Sequence, residues 1–355
     1  MATVKPESTQ RESEVPEDLY PTFVTMLDSL ALQAGQQIVV ALGGGADSQS
    51  VLDLTLRYRQ AHPEFRYLAI HLDHFFHPDS PQWAAFLREH CEQVGIDAIV
   101  EPLTVPSGPR QSKEEQGRNA RYRRLGELTE PNAVILLGQH RTDQVETFFL
   151  QMKRGSGPKG LAAMAPVAAM RNTQPESASK TIRNERRLVR PLLDVTKAQI
   201  YAYARSRQVP WIEDDTNTDT DIDRNFIRHE VLPVLEQRWP AIQHTVARSA
   251  SLCAEQTALL ERLLSDQLRV RLEPEGFRLQ PDWWDLDEAL QRALLRSWFA
   301  HKALTMPSQA VLHELQTQIQ RSSGGKQVKI TWSGVTVYRQ RKWLKVKLDR
   351  NNKAL

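Results

Sequence analysis

The sequence predicts an α/β fold with a parallel sheet, followed by a smaller α+β C-terminal module. Short apolar runs alternate with helical segments through the first 240 residues, which is typical of a parallel sheet covered on both faces. Further on, long amphipathic helices give way to alternating strands, which indicates a separate module. We therefore predict a main domain at 18–239 and a module at 240–355. Residues 1–17, rich in Glu, Ser, Thr and Pro, are expected to form a disordered leader.

Composition places the chain among globular proteins. Of its 355 residues, 40% are hydrophobic and 25% are charged, and the net charge of +3 is too small to indicate a partner. No signal peptide or long apolar span occurs, so we expect a cytoplasmic protein without membrane association. Cys91 and Cys253 are the only cysteines, which indicates free thiols in a reducing compartment and excludes a Cys-x-x-Cys metal site.

The first strand, turn and helix form a corner suited to phosphate. An apolar run at Ile38–Leu42 is followed by Gly43-Gly44-Gly45, and helical spacing begins at Ser48. Glycines let bare N–H groups approach a ligand, and the following helix directs its positive end to the same point. Asp47 could hold the magnesium ion that accompanies a nucleotide. An ordinary helix N-terminus without a ligand has the same residue types.

The elements that follow predict where a ligand would lie. The strands and helices alternate, and the carboxyl ends of parallel strands form one rim at which ligands bind. The predicted strands are 67–72, 96–102 and 133–137, and the predicted helices between them are 80–94 and 112–128.

Polar residues cluster at these strand ends. Asp143 and Glu146 are nearly one helical turn apart, so both carboxylates face the same side and could hold an amine or a metal, with His140 nearby. The same acids could merely complement a helix dipole. His71 and His74 follow another strand, either as ordinary strand-end histidines or beside adenine.

The helix that begins near residue 112 carries a charged face. Glu114, Arg118 and Arg121 share it. The two guanidinium groups could grip a phosphate, or the face could be a solvated ladder of ion pairs.

The C-terminal module is basic. From Arg321 onward nearly every charged residue is Lys or Arg, interleaved with Trp332, Tyr338 and Trp343. Such residues could hold phosphates and stack on bases. Alternatively, the aromatic residues form the core and the lysines protect a sheet edge.

Taken together and in order, these motifs resemble the tRNA(Ile)-lysidine synthases, a branch of the PP-loop ATP-pyrophosphatase superfamily. The corner is similar to the Ser-Gly-Gly-x-Asp-Ser loop of that superfamily, and the resemblance spans roughly residues 36 to 345. The other matching motifs are His71-x-x-His74, Glu114-x-x-x-Arg118-x-x-Arg121-Tyr122, His140-x-x-Asp143-Gln144-x-Glu146-Thr147, Arg154-Gly155-Ser156-Gly157-Pro158-x-Gly160-Leu161, Asp214-x-Thr216-Asn217-x-Asp219 and Arg224-Asn225-x-x-Arg228.

The resemblance implies a Rossmann-like fold of the adenine nucleotide α-hydrolase type and a two-step ligation that uses ATP and Mg²⁺. In the first step, the C2 oxygen of the wobble cytidine in a CAU anticodon attacks the α-phosphate of ATP. In the second, the ε-amine of lysine displaces AMP. The implied partners are tRNA(Ile), L-lysine and ATP, and a homodimer is compatible with the sequence.

The resemblance also implies roles for individual residues. Asp47 would hold the metal. The nucleotide would contact Gly43, Gly44, Gly45, Ala46, Asp47, Ser48 and His71. The reaction would depend on Asp47, Arg118, Arg121, His140, Asp143, Glu146, Arg224 and Arg228.

The chain departs from the family pattern at several positions. Gly43 replaces a Ser, Thr142 stands where the family has an Asp, Phe75-Phe76 follow the second His, and Thr216 replaces a Ser. The lost carboxylate at 142 would weaken metal or lysine binding. Two other hypotheses therefore remain: an impaired homologue that still binds tRNA, and a PP-loop RNA thiolase, against which the absence of paired cysteines argues.

Overall fold

The computed structural model describes residues 18–73, 77–105, 113–170, 185–213, 220–322 and 328–348. These residues divide into two compact units, of which unit 1 ends at Leu252 and unit 2 begins at Cys253. The predicted leader at 1–17 lies outside the described residues.

Unit 1 contains a six-stranded sheet in the order β3-β2-β1-β4-β6-β5. Neighbouring strands are parallel except β5, which runs antiparallel to β6 at the edge. The predicted parallel sheet is therefore confirmed, with an antiparallel edge strand that the sequence did not predict. The strands are β1 Gln37–Leu42, β2 Arg66–Asp73, β3 Ala98–Pro102, β4 Val134–Leu136, β5 Val167–Ala169 and β6 Arg187–Val189.

Helices cover both faces of this sheet because successive strand residues point to opposite sides. Val39 and Val40 on β1 are fully buried and belong to two separate apolar clusters. The helices of the described chain up to residue 269, of which α10 runs past the end of unit 1, are α1 Tyr20–Asp28, α2 Ala46–Ala61, α3 Ser80–Gln93, α4 Lys113–Leu128, α5 Arg141–Lys153, α6 Pro158–Leu161, α7 Lys197–Ser206, α8 Asp223–Phe226, α9 Leu232–Arg238 and α10 Ile242–Arg269, with a π-helical turn at Ile227–Val231.

The strand order fixes the position of the cleft. From β1 the chain adds β2 and β3 on one side, then returns to place β4 on the other side of β1. The connections after β1 and β4 therefore leave the sheet in opposite directions, which opens a crevice at the carboxyl ends of these two strands.

Unit 2 is an α+β module, as predicted. Its antiparallel sheet has the order β7-β8-β11-β10-β9 and packs its apolar side against α11 and α12. Its elements are β7 Leu272–Glu273, β8 Gly276–Arg278, a 3-10 helix Pro281–Trp284, α11 Glu288–His301, α12 Gln309–Arg321, β9 Lys329–Trp332, β10 Val335–Gln340 and β11 Trp343–Leu348. In the described part of the chain, no helix has the length and apolarity needed to cross a bilayer.

Candidate active site

The loop between β1 and α2 requires glycine at Gly44. This residue has φ +92°, and a Cβ there would lie 3.0 Å from Cδ1 of Ile212. The amide of Ile212 donates a hydrogen bond to the Gly44 carbonyl at 2.9 Å. Ser48 braces the loop from inside, because its Oγ accepts from the Gly43 amide at 3.1 Å and donates to the Gly45 carbonyl at 3.1 Å. The hydroxyl of Ser48, a residue expected to contact the nucleotide, thus has partners within the loop.

Gly138 brings the loop after β4 against the same corner. A Cβ at this position would lie 2.9 Å from the backbone nitrogen of Ser48 and 3.1 Å from the carbonyl carbon of Asp47. A Cβ cannot lie this close to backbone atoms. The backbone at Gly138 therefore packs directly against the backbone at Asp47 and Ser48. Sequence reasoning did not assign this role, although a glycine directly after a buried strand is the signal for it.

His140 opens α5 through a reciprocal cap with Asp143. Nδ1 of His140 accepts from the Thr142 amide at 3.2 Å, and Oδ2 of Asp143 accepts from the His140 amide at 2.9 Å. Because Nδ1 is an acceptor, the proton of the neutral imidazole is assigned to Nε2. That nitrogen lies 3.6 Å from Oδ2 of Asp143.

Asp47 belongs to the same electrostatic cluster. Burial raises the pKa of Asp47, His140 opposes the shift, and the neighbouring charge of Asp143 adds to it. Residues that follow β1 and β4 therefore interact at one rim, as the strand-end rule predicts. Asp47 and Asp143 bring two carboxylates close together, and a bound cation would reduce the repulsion between them.

Glu146 is a fully buried carboxylate held by arginines. Nε of Arg228 donates to its Oε1 at 2.7 Å, and Nη1 of Arg224 lies 3.8 Å from Oε2. Nη2 of Arg228 also lies 3.5 Å from Oδ1 of Asp143. Burial raises the pKa of Glu146, and Arg228 opposes the shift. Within the described residues, Oε2 has no hydrogen-bond partner.

His71 stands at the end of β2 with a fixed ring. It pairs in register with Leu42, and its Nδ1 donates to the Leu42 carbonyl at 3.0 Å, so Nε2 remains an acceptor. Burial lowers the pKa of His71, and the charge of Arg121 lowers it further. Arg121 and Arg118 are both exposed on α4. Arg118 makes no ion pair with any residue that the structure describes.

Sequence reasoning missed a buried cation at the end of β6. Arg190 is 7% exposed, its Nε donates to Oε1 of Gln139 at 3.1 Å, and its Nη1 donates to the Ala165 carbonyl at 2.7 Å. Burial lowers the pKa of Arg190, while a hydrogen bond with Tyr122 opposes the shift. The signal was an arginine directly after the apolar pair Leu188-Val189.

Tyr201 on α7 also lies near the cluster. Burial raises the pKa of its phenol, and the charge of Asp47 adds to the shift. Its ring packs edge to face on Trp211, with the centroids 5.7 Å apart. Because Trp211 immediately precedes Ile212, this aromatic pair adjoins the glycine loop.

Thr142 has a structural partner of its own. It is 6% exposed, and its hydroxyl donates to Oε1 of Gln243 at 3.2 Å. The amide nitrogen of Gln243 in turn donates to Glu236 at 2.5 Å. Thr142, which departs from the expected pattern, is thus built into a partly buried chain of hydrogen bonds. Other departures and motif residues lie outside the described residues or have undescribed side chains, namely His74, Phe75, Phe76, Glu114 and the segment 214–219.

Family models match both units. The model described as a PP-loop domain matches residues 19–235, and the model described as TilS substrate binding domain matches residues 281–344. The fold of U34-tRNA thiolase NcsA from Methanococcus maripaludis is similar, with a TM-score of 0.52 at 15% identity over 67% of this chain and 78% of the other. At that identity the likeness concerns the fold alone.

Curated relatives are much closer in sequence. The tRNA(Ile)-lysidine synthase of Idiomarina loihiensis is 49% identical over 320 residues, which cover 90% of this chain and 68% of the relative. The tRNA(Ile)-lysidine synthase of Vibrio cholerae (strain N16961) is 38% identical over 91% of this chain and 70% of its own length. The chain therefore belongs to the tRNA(Ile)-lysidine synthase family and carries the PP-loop domain of that family.

Proposed function

We propose that the protein joins lysine to C2 of the wobble cytidine of tRNA(Ile) with a CAU anticodon, at the expense of ATP. The C2 oxygen attacks the α-phosphorus and pyrophosphate leaves. The ε-amine then attacks C2, and AMP departs with the oxygen. The observation that carries the proposal is the meeting of the glycine loop, Asp47 and the His140–Asp143 cap at one rim, in a chain of this family.

The β1–α2 corner suits the triphosphate. Backbone amides of Gly44 and Gly45 and the N-terminus of α2 could provide donors for phosphate oxygens. At the neighbouring strand end, Nε2 of His71 is an acceptor for an exocyclic amine such as that of adenine. The nucleotide would then lie along the crevice, with its base toward β2.

The donor set at Asp47 fits Mg²⁺. No group of three or more metal-ligating side chains occurs among the described residues. Mg²⁺ needs only one or two carboxylates when substrate phosphates and waters complete its shell. Asp47 supplies one carboxylate, and the nearby charge of Asp143, which raises the pKa of Asp47, would add to the attraction for the cation. Bound there, the ion would neutralise charge on the departing pyrophosphate.

Asp143 and Glu146 suit the lysine amine. Oε2 of Glu146 is buried and accepts no hydrogen bond from the described residues, although Nη1 of Arg224 lies 3.8 Å away, and a lysine ammonium could donate to it. The amine must lose a proton before it attacks C2. The carboxylates of Asp143 and Glu146 offer acceptors at this point, while Arg228 holds Glu146 in place.

Two pairs of arginines are proposed to serve the reaction in different ways. Arg228 and Arg224 are engaged with Glu146, so their part is to orient that carboxylate and the residues beside it. Arg118 and Arg121 are exposed on α4 and can turn toward the α-phosphate. Charge stabilisation of this kind contributes several kcal/mol to many enzymes, as judged from removal of single donors (about 3 to 4 kcal/mol).

The environment of Cys91 does not support the thiolase hypothesis. Cys91 is 1% exposed, and burial raises the pKa of its thiol to about 11. A thiol in such surroundings is a poor nucleophile. We further propose a cytoplasmic location, where tRNA, lysine and ATP occur together, and sedimentation of the purified chain would distinguish a monomer from a homodimer.

The test is direct. Purified protein is incubated with ATP, lysine and a CAU-anticodon tRNA, and the wobble nucleoside is analysed by mass spectrometry. Addition of lysine with release of AMP and pyrophosphate is expected. Binding of tRNA without turnover would instead identify an impaired homologue, and sulfur incorporation would identify a thiolase.

A further inference from the structure

We propose that the outward face of the unit 2 sheet binds an unpaired stretch of the substrate tRNA. Trp343 and Tyr338 would stack on bases, while Lys345 and Lys347 would hold phosphates. This inference rests on the proposed function, which supplies the class of partner, and deepens it by naming the surface.

The opposite face of the sheet is unavailable to a ligand. Ile330, Val337 and Leu344 point into the apolar core with α11 and α12. Trp332 lies in that core as well, 9% exposed, and its Nε1 donates to the Thr305 carbonyl at 2.8 Å. One of the three aromatic residues that the sequence singled out is therefore structural. The other two alternate with core residues and face outward.

One row across the outward face is Lys–Tyr–Lys. Tyr338 on β10 pairs in register with Lys345 on β11 and with Lys329 on β9. Thr336, two residues before Tyr338, pairs with Lys347 in the next row. Each of these lysines thus lies on the same side of the sheet as the tyrosine ring. Positive charge surrounds an aromatic surface that is only half buried.

A second row is built around Trp343. This residue pairs in register with Arg278 on β8, whose guanidinium lies 5.8 Å from the indole centroid. Lys342 lies 5.4 Å from the same ring. Among the described residues, Arg278 also forms an ion pair with Glu273 on β7, with Nη1 of Arg278 2.8 Å from Oε1 of Glu273. The indole is therefore held in a defined orientation by cations and remains partly exposed.

The spacing suits a single strand of RNA. Trp343, Lys345 and Lys347 alternate along β11, so they lie about 7 Å apart on one side. Base faces are free for stacking only in unpaired nucleotides, because they are covered in a helix. Surfaces that bind single strands combine such rings with cations that follow the backbone. A duplex would use the lysines alone.

The experiment measures binding of CAU-anticodon tRNA(Ile) to the full chain at several salt concentrations. Lys345→Gln with Lys347→Gln is expected to weaken binding about tenfold and to lower the slope of log K against log salt by about 1.4, for two contacts with single-stranded phosphates. Trp343→Leu is expected to weaken binding about tenfold without changing that slope. The control carries Arg296→Gln and Lys302→Gln, which remove two exposed charges at α11 and its C-terminus. Wild-type affinity is expected.

Two outcomes would overturn the inference. In the first, the control loses as much affinity as the lysine pair, so that only net charge matters. In the second, the lysine pair weakens binding but Trp343→Leu does not, which would indicate a duplex or another polyanion held by charge alone. Circular dichroism of each variant verifies the fold before binding is measured.

The same variants keep this inference separable from the proposed function. If both hold, the lysine pair raises KM for tRNA more than it lowers kcat for lysidine formation. If the unaltered protein forms no lysidine but binds tRNA with the stated dependence on Trp343 and the lysines, the proposed function fails and the surface stands. If the unaltered protein forms lysidine but every variant binds tRNA with full affinity, the proposed function stands and the inference about the surface fails.

Discussion

Nε of Arg228 donates to Oε1 of Glu146 at 2.7 Å, and Glu146 is completely buried. The two residues are 82 positions apart, on a π-helical turn and on α5, so the pair ties the segment after α8 to the rim of the sheet. Its energetic value depends on both partners being present, because an unpaired charge in such a place is strongly destabilising.

Arg228→Met should therefore lower the free energy of unfolding by about 3 kcal/mol. Urea unfolding measures it. The control is Arg207→Met, which removes an ion pair with Asp53 from a side chain that is 47% exposed and should cost less than about 1 kcal/mol. Combining Arg228→Met with Glu146→Leu should recover most of the stability but no lysidine formation. Equal losses for Arg228→Met and the control would contradict the assignment.

The stability of the protein should depend on pH through Asp47. Burial raises the pKa of this carboxyl in the folded state, so the folded state binds the proton more tightly than the unfolded chain. Stability should then fall as pH rises from about 4, the ordinary value, through the raised value. Asp47→Asn should remove this part of the pH dependence and raise the unfolding free energy at pH 7. An unchanged pH profile in the variant would refute the prediction.

The two glycines of the loop should respond differently to substitution. Gly44→Ala places a Cβ at φ +92° and 3.0 Å from Ile212, which should lower stability by about 1 to 2 kcal/mol and weaken ATP binding. Among the described atoms, a Cβ at Gly43 would have only Oγ of Ser48 within 4 Å, at 3.8 Å. Gly43→Ser should therefore leave the melting temperature nearly unchanged. Thermal unfolding with and without ATP measures both, and similar losses would argue against the loop geometry.

Placing at position 142 the acid that the resemblance leads one to expect should not improve this protein. The Thr142 hydroxyl donates to Oε1 of Gln243. This oxygen cannot donate a hydrogen bond to a carboxylate, because both groups are acceptors. Thr142→Asp should lower the unfolding free energy by about 2 kcal/mol, as a poorly satisfied buried charge. Thr142→Ser, which retains the hydroxyl, is the matched control. A lower KM for lysine in Thr142→Asp would contradict this prediction and show that a carboxylate at position 142 improves lysine binding.

Local sequence patterns were enough to place Asp47, His140 and Asp143 at one rim. Each follows or adjoins a strong apolar strand, and the parallel topology brings those strand ends together regardless of loop detail. Three-residue strands such as β5 carry too little periodicity to recognise. They depend on the neighbouring strand for their hydrogen bonds.

Partnerships across long stretches of chain could not be read from the sequence. Thr142 donates a hydrogen bond to Gln243, which lies 101 residues further along the chain, and only the folded backbone brings the two together. Likewise, the motif containing Arg228 was recognised, but its engagement with Glu146 was not. In unit 2, alternation alone could not tell that Trp332 faces the core while Trp343 faces out, since this depends on which side α11 covers.

Gly138 has a further consequence for how the catalyst can change. Because its α-carbon hydrogen is all that separates the main chain after β4 from the turn at Ser48, the width of the crevice is set there by the smallest available residue. Even one methyl group at Gly138 would force the chain after β4 away from the backbone at Asp47 and Ser48. Variants that accept a bulkier amine should therefore arise from changes in side chains along the rim, not from a wider gap at this contact.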